Sequence, residues 1–393
     1  MLVSSLRLTV VTLLLLSSLP TLLPAAEENR LTAEELAAGW ILLFDGETTF
    51  GWQAESKADW KVKDGVISVM TGEPGLLRTT SPFDNYELKV DFKAAEKTNS
   101  GIFLRTPAVV TKDDVATKCY ELNIAAADNP FPTGSLVGRA KAKEVPAATT
   151  WQTFAVTVNG PQVTVKLNNQ EVATYTDPKP IGRGFIGLQL NSGAVEFRNI
   201  KLRPLGLTSL FNGKDQTGWK GHPTSLSKFT VTKEGTLNVQ NGKGHLETEQ
   251  KFGDFSLQLE CISHAKDLNS GLFFRCIPGD VMNGYESQIH NGFVGGDRTK
   301  PKDCGTGGIF RQQNARKVVA DDLVWFHKTL VVAGPHVAAW VNGYQVSDWT
   351  DVRKPDANPR KGLRLEAGTL QIQGHDPTTN LSFRNLRATE MKK

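Results

Sequence analysis

The stretch NGYESQIHNG, Asn283 to Gly292, carries a carboxylate, an amide and an imidazole at alternate positions. Side chains alternate between faces along a β-strand, so Glu286, Gln288 and His290 share one face while Tyr285, Ser287 and Ile289 share the other. A carboxylate accepts protons, an imidazole exchanges them near neutral pH, and an amide holds a polar group in place. Three different proton chemistries in register suit a reaction centre better than a solvated face of Thr, Lys and Ser. The alternative is a polar sheet surface whose ion pairs contribute little.

Two further stretches add to this set. In NSGLFFRC, strict alternation puts Leu272, Phe274 and Cys276 on one side and Gly271, Phe273 and Arg275 on the other. Arg275 and Phe273 are therefore expected in a groove, the first as a hydrogen-bond donor and the second as a surface for a ring. In QIQGHDP, Gln373 is followed by His375 and Asp376 at the end of a strand-like run. A histidine in that position is as readily a surface residue as a catalytic one.

These strands have counterparts earlier in the chain. LLFDGETTFGW returns as SLFNGKDQTGW, TNSGIFLRT as LNSGLFFRC, CYELNI as GYESQI and EFRNIKLRP as SFRNLRATE, and Trp151 through Asp177 aligns without a gap onto Trp325 through Asp351. Two tandem copies of one domain follow, spanning residues 27–204 and 205–393. Runs rich in Val, Ile, Phe and Thr alternate with turn clusters such as VNGPQ and QNGKG, the pattern of an antiparallel all-β sandwich or jelly roll in each copy. Helical patterning is confined to LTAEELAAGW, where Thr32 and Glu35 form a capping box.

The copies differ where chemistry is expected. The first keeps Arg105 and Glu121 but has Asn123 and Ala125 where the second has Gln288 and His290, and it lacks His375, so it is expected to bind or support. The intervals Tyr120 to Trp151 and Trp151 to Phe197 both lengthen in the second copy. The added length falls in GFVGGDRTKPKDCGTGGIFRQQ, which includes Arg311, and in VRKPDANPRKGLRLEAG. Long loops on a rigid sandwich commonly assemble sites.

Residues 1–26 have a basic Arg7, a short apolar run and a small-residue exit at Ala25 and Ala26, the layout of a signal peptide. A secreted or periplasmic protein is expected, with no integral membrane segment in the mature chain. With 45 basic and 41 acidic residues the charge is nearly balanced, and the Arg298, Lys300, Lys302 cluster lacks an interleaved aromatic row, so nucleic acid is not an expected partner. Secretion permits a Cys261–Cys276 bridge if those residues face one another.

The ordered set LFDG...GW, SGIF-x-R, YE-x-Q-I, a tryptophan-led strand, VNG and FRNI resembles the 3-keto-disaccharide hydrolase domain family, and the resemblance covers both copies. It implies a concanavalin A-like jelly roll and action on oxidised glycosides, with carbohydrate as the partner; some related sandwiches only bind sugars. Gln373 to His375 match a Gln-x-His of that family, whereas Asn291 stands where the family has Asp.

Hydrolysis of an ordinary glycoside uses two carboxyl groups roughly 5 to 10 Å apart. A 3-keto sugar asks for less, because the ketone acidifies the neighbouring C2 proton and the C1 substituent can leave by elimination. The roles expected are Glu286 as base, His375 as acid, with His290 binding substrate and able to share the acid role, and Arg275 with Gln288 as donors to the ketone. Phe273, Asp376, Arg311, Arg105 and Glu121 are expected to contact substrate. No cofactor is required, although Glu286, His290 and His375 are candidates to hold a divalent metal ion. A lectin-like module stacking sugars on Trp325 or Trp349 and a pair of adhesion modules are the competing readings.

Overall fold

The computed structural model describes residues 28–111, 114–143 and 149–392; the expected signal peptide lies outside them. No helix among the described residues is long and apolar enough to cross a membrane. The one helix among the described residues, Ala33–Ala37, begins with the capping box of Thr32 and Glu35.

Each copy is a sandwich of an eight-stranded sheet and a five-stranded sheet, all antiparallel. In the second copy the five-stranded sheet runs Trp219–Gly221, Gly244–Phe252, Gly368–Gly374, Ser270–Cys276, Tyr285–Ile289. The first copy repeats that order with Trp52–Ala54, Gly75–Thr79, Phe185–Leu190, Ser100–Thr106 and Tyr120–Ile124. Strand parity follows the sequence pattern. Leu246, Leu272, Phe274, Tyr285, Ile289 and Ile372 enter one core with Leu257, Leu330 and Phe383 of the larger sheet, which leaves the alternate residues of the smaller sheet on its outer, site-bearing face.

Burial of this apolar face drives the sandwich together, and Tyr285 shows how the details are fixed. Its ring stacks on Phe274 with centroids 5.3 Å apart, and its hydroxyl donates to Asp351 at 2.8 Å. The Tyr–Asp pair recurs as Tyr120 and Asp177 in the first copy.

The two copies also share a core. Val331, Ala333, Ala338 and Trp340, on the outward side of the second large sheet, belong to the apolar cluster of the first copy, and Trp340 Nε1 donates to Leu42 O at 2.9 Å. The strand His336–Val341 is thus buried on both faces. The repeat places Thr164 and Lys166 opposite Ala338 and Trp340, and that exchange of polar for apolar residues is the sequence trace of the interface.

All four cysteines are free and buried. Cys261 lies in the large sheet and Cys276 in the small one, so the bridge considered from sequence does not form.

Candidate functional site

Register across the small sheet of the second copy defines the candidate site. Glu247 faces Gln371, Gln371 faces Phe273, and Phe273 faces Glu286. In the next row His245 faces Gln373 and Gly271 faces Gln288. Both rows lie on the face opposite the core, and the two enlarged loops supply Phe310 and Arg360 over them.

Glu286 is 5% exposed. Its Oε2 receives Arg360 Nη2 at 3.1 Å, and a Cβ on Gly271 would lie 2.5 Å from its Oε1. The glycine therefore gives the carboxylate room to lean inward over the neighbouring strand. Burial raises the Glu286 carboxyl above its ordinary range, while Arg360 opposes the shift. A desolvated carboxylate of this kind is a stronger proton acceptor than one in water.

His375 follows the end of the strand Gly368–Gly374. Its Nδ1 lies 2.8 Å from Asp376 Oδ2, and the ring is partly exposed. Gly271 sits beside Gln373 in register, so His375 is its diagonal neighbour, about 7 to 8 Å away between Cα atoms. Register thus puts His375 two residues along the chain from Gln373, the neighbour of the Gly271 over which the Glu286 carboxylate leans. Asp376 was expected to contact substrate. Instead it receives His375, the Thr378 amide and the Thr378 hydroxyl, and so orients the imidazole.

Arg275 does not enter the groove. The ladder shifts register between Phe273 and Cys276, and Arg275 adopts φ +50°, so alternation is broken at this residue. Its guanidinium donates to the carbonyls of Gly253, Gly334 and Arg364 and to Asp254, and the residue is 1% exposed. Arg183 of the first copy binds the other Asp254 oxygen, so Arg275 helps to hold the copies together. Arg105 does the same within the first copy, with φ +52° and bonds to Asp84, Asn85, Gly160 and Ile181. Both arginines are corrected from substrate contacts to structural pins.

Other expectations also change. Phe273 is fully buried with the Arg360 guanidinium 4.9 Å from its centroid, which removes it as an open stacking surface. Gln288 gives its Nε2 to Asp303 at 2.9 Å, so its available group is the acceptor Oε1 rather than a donor. His290 turns aside and accepts the Gly292 amide at Nδ1. Among the described residues no three His, Cys, Asp or Glu side chains are grouped to hold a metal ion, so Glu286, His290 and His375 do not fit as a ligand set. Arg311 is exposed and stacks over Phe310 at the rim. Trp325 and Trp349 are away from this face, under Arg384 and against Tyr285 respectively.

Several residues of the face were missed by sequence reasoning. His245, Glu247 and Gln371 occupy positions where the first copy has Leu76, Arg78 and Gly187, and comparing GHLET with GLLRT would have found the first two. Lys328 was missed as well. It is fully buried between the sheets, donates to the carbonyls of Ser287 at 2.8 Å and Gln288 at 3.0 Å, and stands where the first copy has Phe154. Burial pushes its ammonium down to about 7.

The first copy closes its own face. Val110 and Val115 pack on Leu76, Phe103 and Cys119, and Arg78 is paired with Glu55 at 2.6 Å. Glu121 remains with its carboxyl raised by burial, but the imidazoles are absent. A hollow of about 720 Å³ elsewhere in this copy, beside Lys97, Asn99 and Asp128, contains none of the candidate residues.

Residues 39–203 and 206–389 each match the family model described as a 3-keto-alpha-glucoside-1,2-lyase-like domain. A curated 3-keto-disaccharide hydrolase from Bacteroides thetaiotaomicron is 34% identical over 103 residues, 23% of this chain and 36% of that protein, so the chain spans about a third of its relative. Among solved structures, a candidate glycosyl hydrolase from Parabacteroides distasonis aligns at 22% identity with a TM-score of 0.41, covering 46% of this chain and 100% of that one. A carbohydrate-binding module from Bacillus subtilis aligns at 17% identity with a TM-score of 0.32, covering 44% and 98%.

Proposed function

The chain belongs to the 3-keto-alpha-glucoside-1,2-lyase-like domain family through both of its halves, and from that premise we propose that the second copy cleaves the glycosidic bond of 3-keto-glycosides by proton transfer. The observation that carries this reading is the Glu286 carboxylate, desolvated and leaning over Gly271 toward the strand Gly368–Gly374, which His375 follows.

In this mechanism Glu286 removes the proton at C2 and the electron pair moves onto the C3 oxygen as an enolate. Arg360, beside Glu286 with further N–H groups to offer, stabilises that charge and takes the part expected of Arg275. The enolate then collapses, the C1–O bond breaks, and His375, held by Asp376, gives its proton to the departing oxygen. Addition of water to C1 of the resulting enone, with return of the proton to C2, completes hydrolysis; release before that step gives elimination. The first copy supports the second through their shared core, and reading residues 1–26 as a signal peptide supports a reaction outside the cytoplasm.

The test is turnover of a purified 3-keto-glucoside, followed by release of the alcohol. Wild-type protein is expected to turn over and Glu286→Gln to lose at least about a hundredfold in kcat, the scale of a general base. Undiminished turnover by Glu286→Gln would overturn the assignment. Sugar binding without turnover by the wild type would favour the lectin-like alternative.

A further inference from the structure

A row of side chains next to Glu286 has polar atoms with nothing to bond. Both ring nitrogens of His245, Oε1 of Gln373 and Oε1 of Gln288 are buried without a hydrogen-bond partner. The three residues are 1%, 7% and 1% exposed. Each orphaned group has given up its bonds to water without replacement, which destabilises the folded state. The fold does not require the imidazole, because Leu76 takes the His245 position in the first copy, opposite a Gln189 whose Oε1 is orphaned like that of Gln373. The His245 imidazole is therefore held for a ligand rather than for the sheet, with the Gln373 and Gln288 oxygens open beside it.

The chemistry of that ligand can be read from the row. Burial, and then the nearby His222 ring 5.0 Å away, hold the His245 imidazole below its ordinary range. A neutral imidazole offers one donor and one acceptor nitrogen, and the two glutamine oxygens offer acceptors. Neighbouring sugar hydroxyls, each donor and acceptor, satisfy all of them. From His245 to Gln288 the row crosses three strand spacings, about 14 Å between Cα atoms, which is longer than one pyranose ring, and Glu286 stands over the Gln288 end.

Resting on the reading above, we propose that His245 is a specificity residue that, with Gln373, binds hydroxyls of the sugar that departs. The reacting ring lies above the Glu286 carboxylate and the Gln288 oxygen, and the leaving ring lies against His245. The loop 277–284 covers the Gln373 side of this subsite, where Met282 Sδ receives Gln373 Nε2 at 3.2 Å. Gly279 and Met282 donate backbone N–H groups to Glu247 and to Gln371, and Gln371 donates to Asp280 O. Substrate entry exchanges these few bonds for hydroxyl contacts as the loop lifts.

The experiment compares wild type with His245→Leu on two substrates, maltose oxidised at C3 of its non-reducing ring and methyl 3-keto-glucoside. The expected result is a KM for the disaccharide raised at least about tenfold with kcat little changed. Both constants for the methyl glycoside should stay as they are, and the melting temperature should be unchanged or higher. Equal losses on both substrates, or no loss on either, would overturn the proposal. Should the wild type turn over neither substrate, the catalytic reading fails separately. Calorimetry with maltose and methyl glucoside then decides the subsite, which stands if maltose binding depends on His245 and falls if it does not.

Discussion

Arg360 sets its guanidinium 3.1 Å from Glu286 Oε2 and 4.9 Å from the centroid of the Phe273 ring. One side chain from an enlarged loop thus pairs the proposed base and covers the aromatic floor beneath it.

This pairing makes Arg360→Ala a test of how the base is tuned. Arg360 lowers the Glu286 carboxyl against the upward effect of burial. Its loss should raise that carboxyl further and move the acid limb of the kcat/KM profile to higher pH. Arg360→Lys keeps a charge but not the planar fork, so it should restore the limb more fully than the rate. An acid limb that stays in place in Arg360→Ala would remove Glu286 as its source.

Burying Glu286 should also have a cost in stability. Its carboxyl is higher in the folded state than in the unfolded chain, so the folded form is relatively favoured while the group is protonated. That advantage is lost as pH rises through the folded value. Glu286→Gln is therefore expected to melt higher than wild type near pH 7 and to lose that advantage near pH 4. Arg360 is partly exposed and can be solvated without its partner. Thermal melts at the two pH values check this, and a lower melting temperature at pH 7 would contradict it.

For Arg275 the expected defect is in folding rather than in turnover. Arg275→Ala removes a charged donor from three carbonyls and from Asp254 Oδ1, which keeps only the Gly334 amide. The loss should be on the order of 3 to 5 kcal/mol, as for a buried pair with one partner removed. Denaturant titration measures it. Near-normal stability with a large fall in kcat would return Arg275 to the reaction.

The repeat and the strand parity were legible because burial of one sheet face imposes a period of two. Tyr285, Ile289, Leu272 and Phe274 went inward as expected, and Glu286 and Gln288 went outward. Arg275 was misplaced because a one-residue β-bulge reverses parity with no change in composition, and no Gly marks the positive φ. Arg360 was invisible for another reason: loop residues carry no period, so only folding shows which of them reaches the face. His245 and Lys328 were legible in principle, since each replaces an apolar residue of the first copy, Leu76 and Phe154. Reading the aligned copies for such exchanges would have found both.

Lys328 yields the last prediction. Its ammonium is enclosed between the sheets and bonded to the Ser287 and Gln288 carbonyls behind the strand that carries Glu286. Burial holds it down to about 7, against about 10.4 for a lysine in an unfolded chain. Below pH 7 both states are protonated and the full cost of the buried charge falls on the folded state. As pH rises from 7 toward 10 the folded state, already neutral, loses that handicap, so wild-type stability gains from this residue across the window. Lys328→Met fills the space but cannot titrate, and its lost bonds to the two carbonyls add an offset that does not vary with pH. The stability of Lys328→Met relative to wild type should therefore be highest at or below pH 7 and fall by a few kcal/mol, on the scale set by such a shift, as pH approaches 10. Denaturant titrations of both proteins at pH 6, 8 and 10 read this slope directly. Parallel curves would mean that Lys328 keeps an ordinary lysine affinity for its proton.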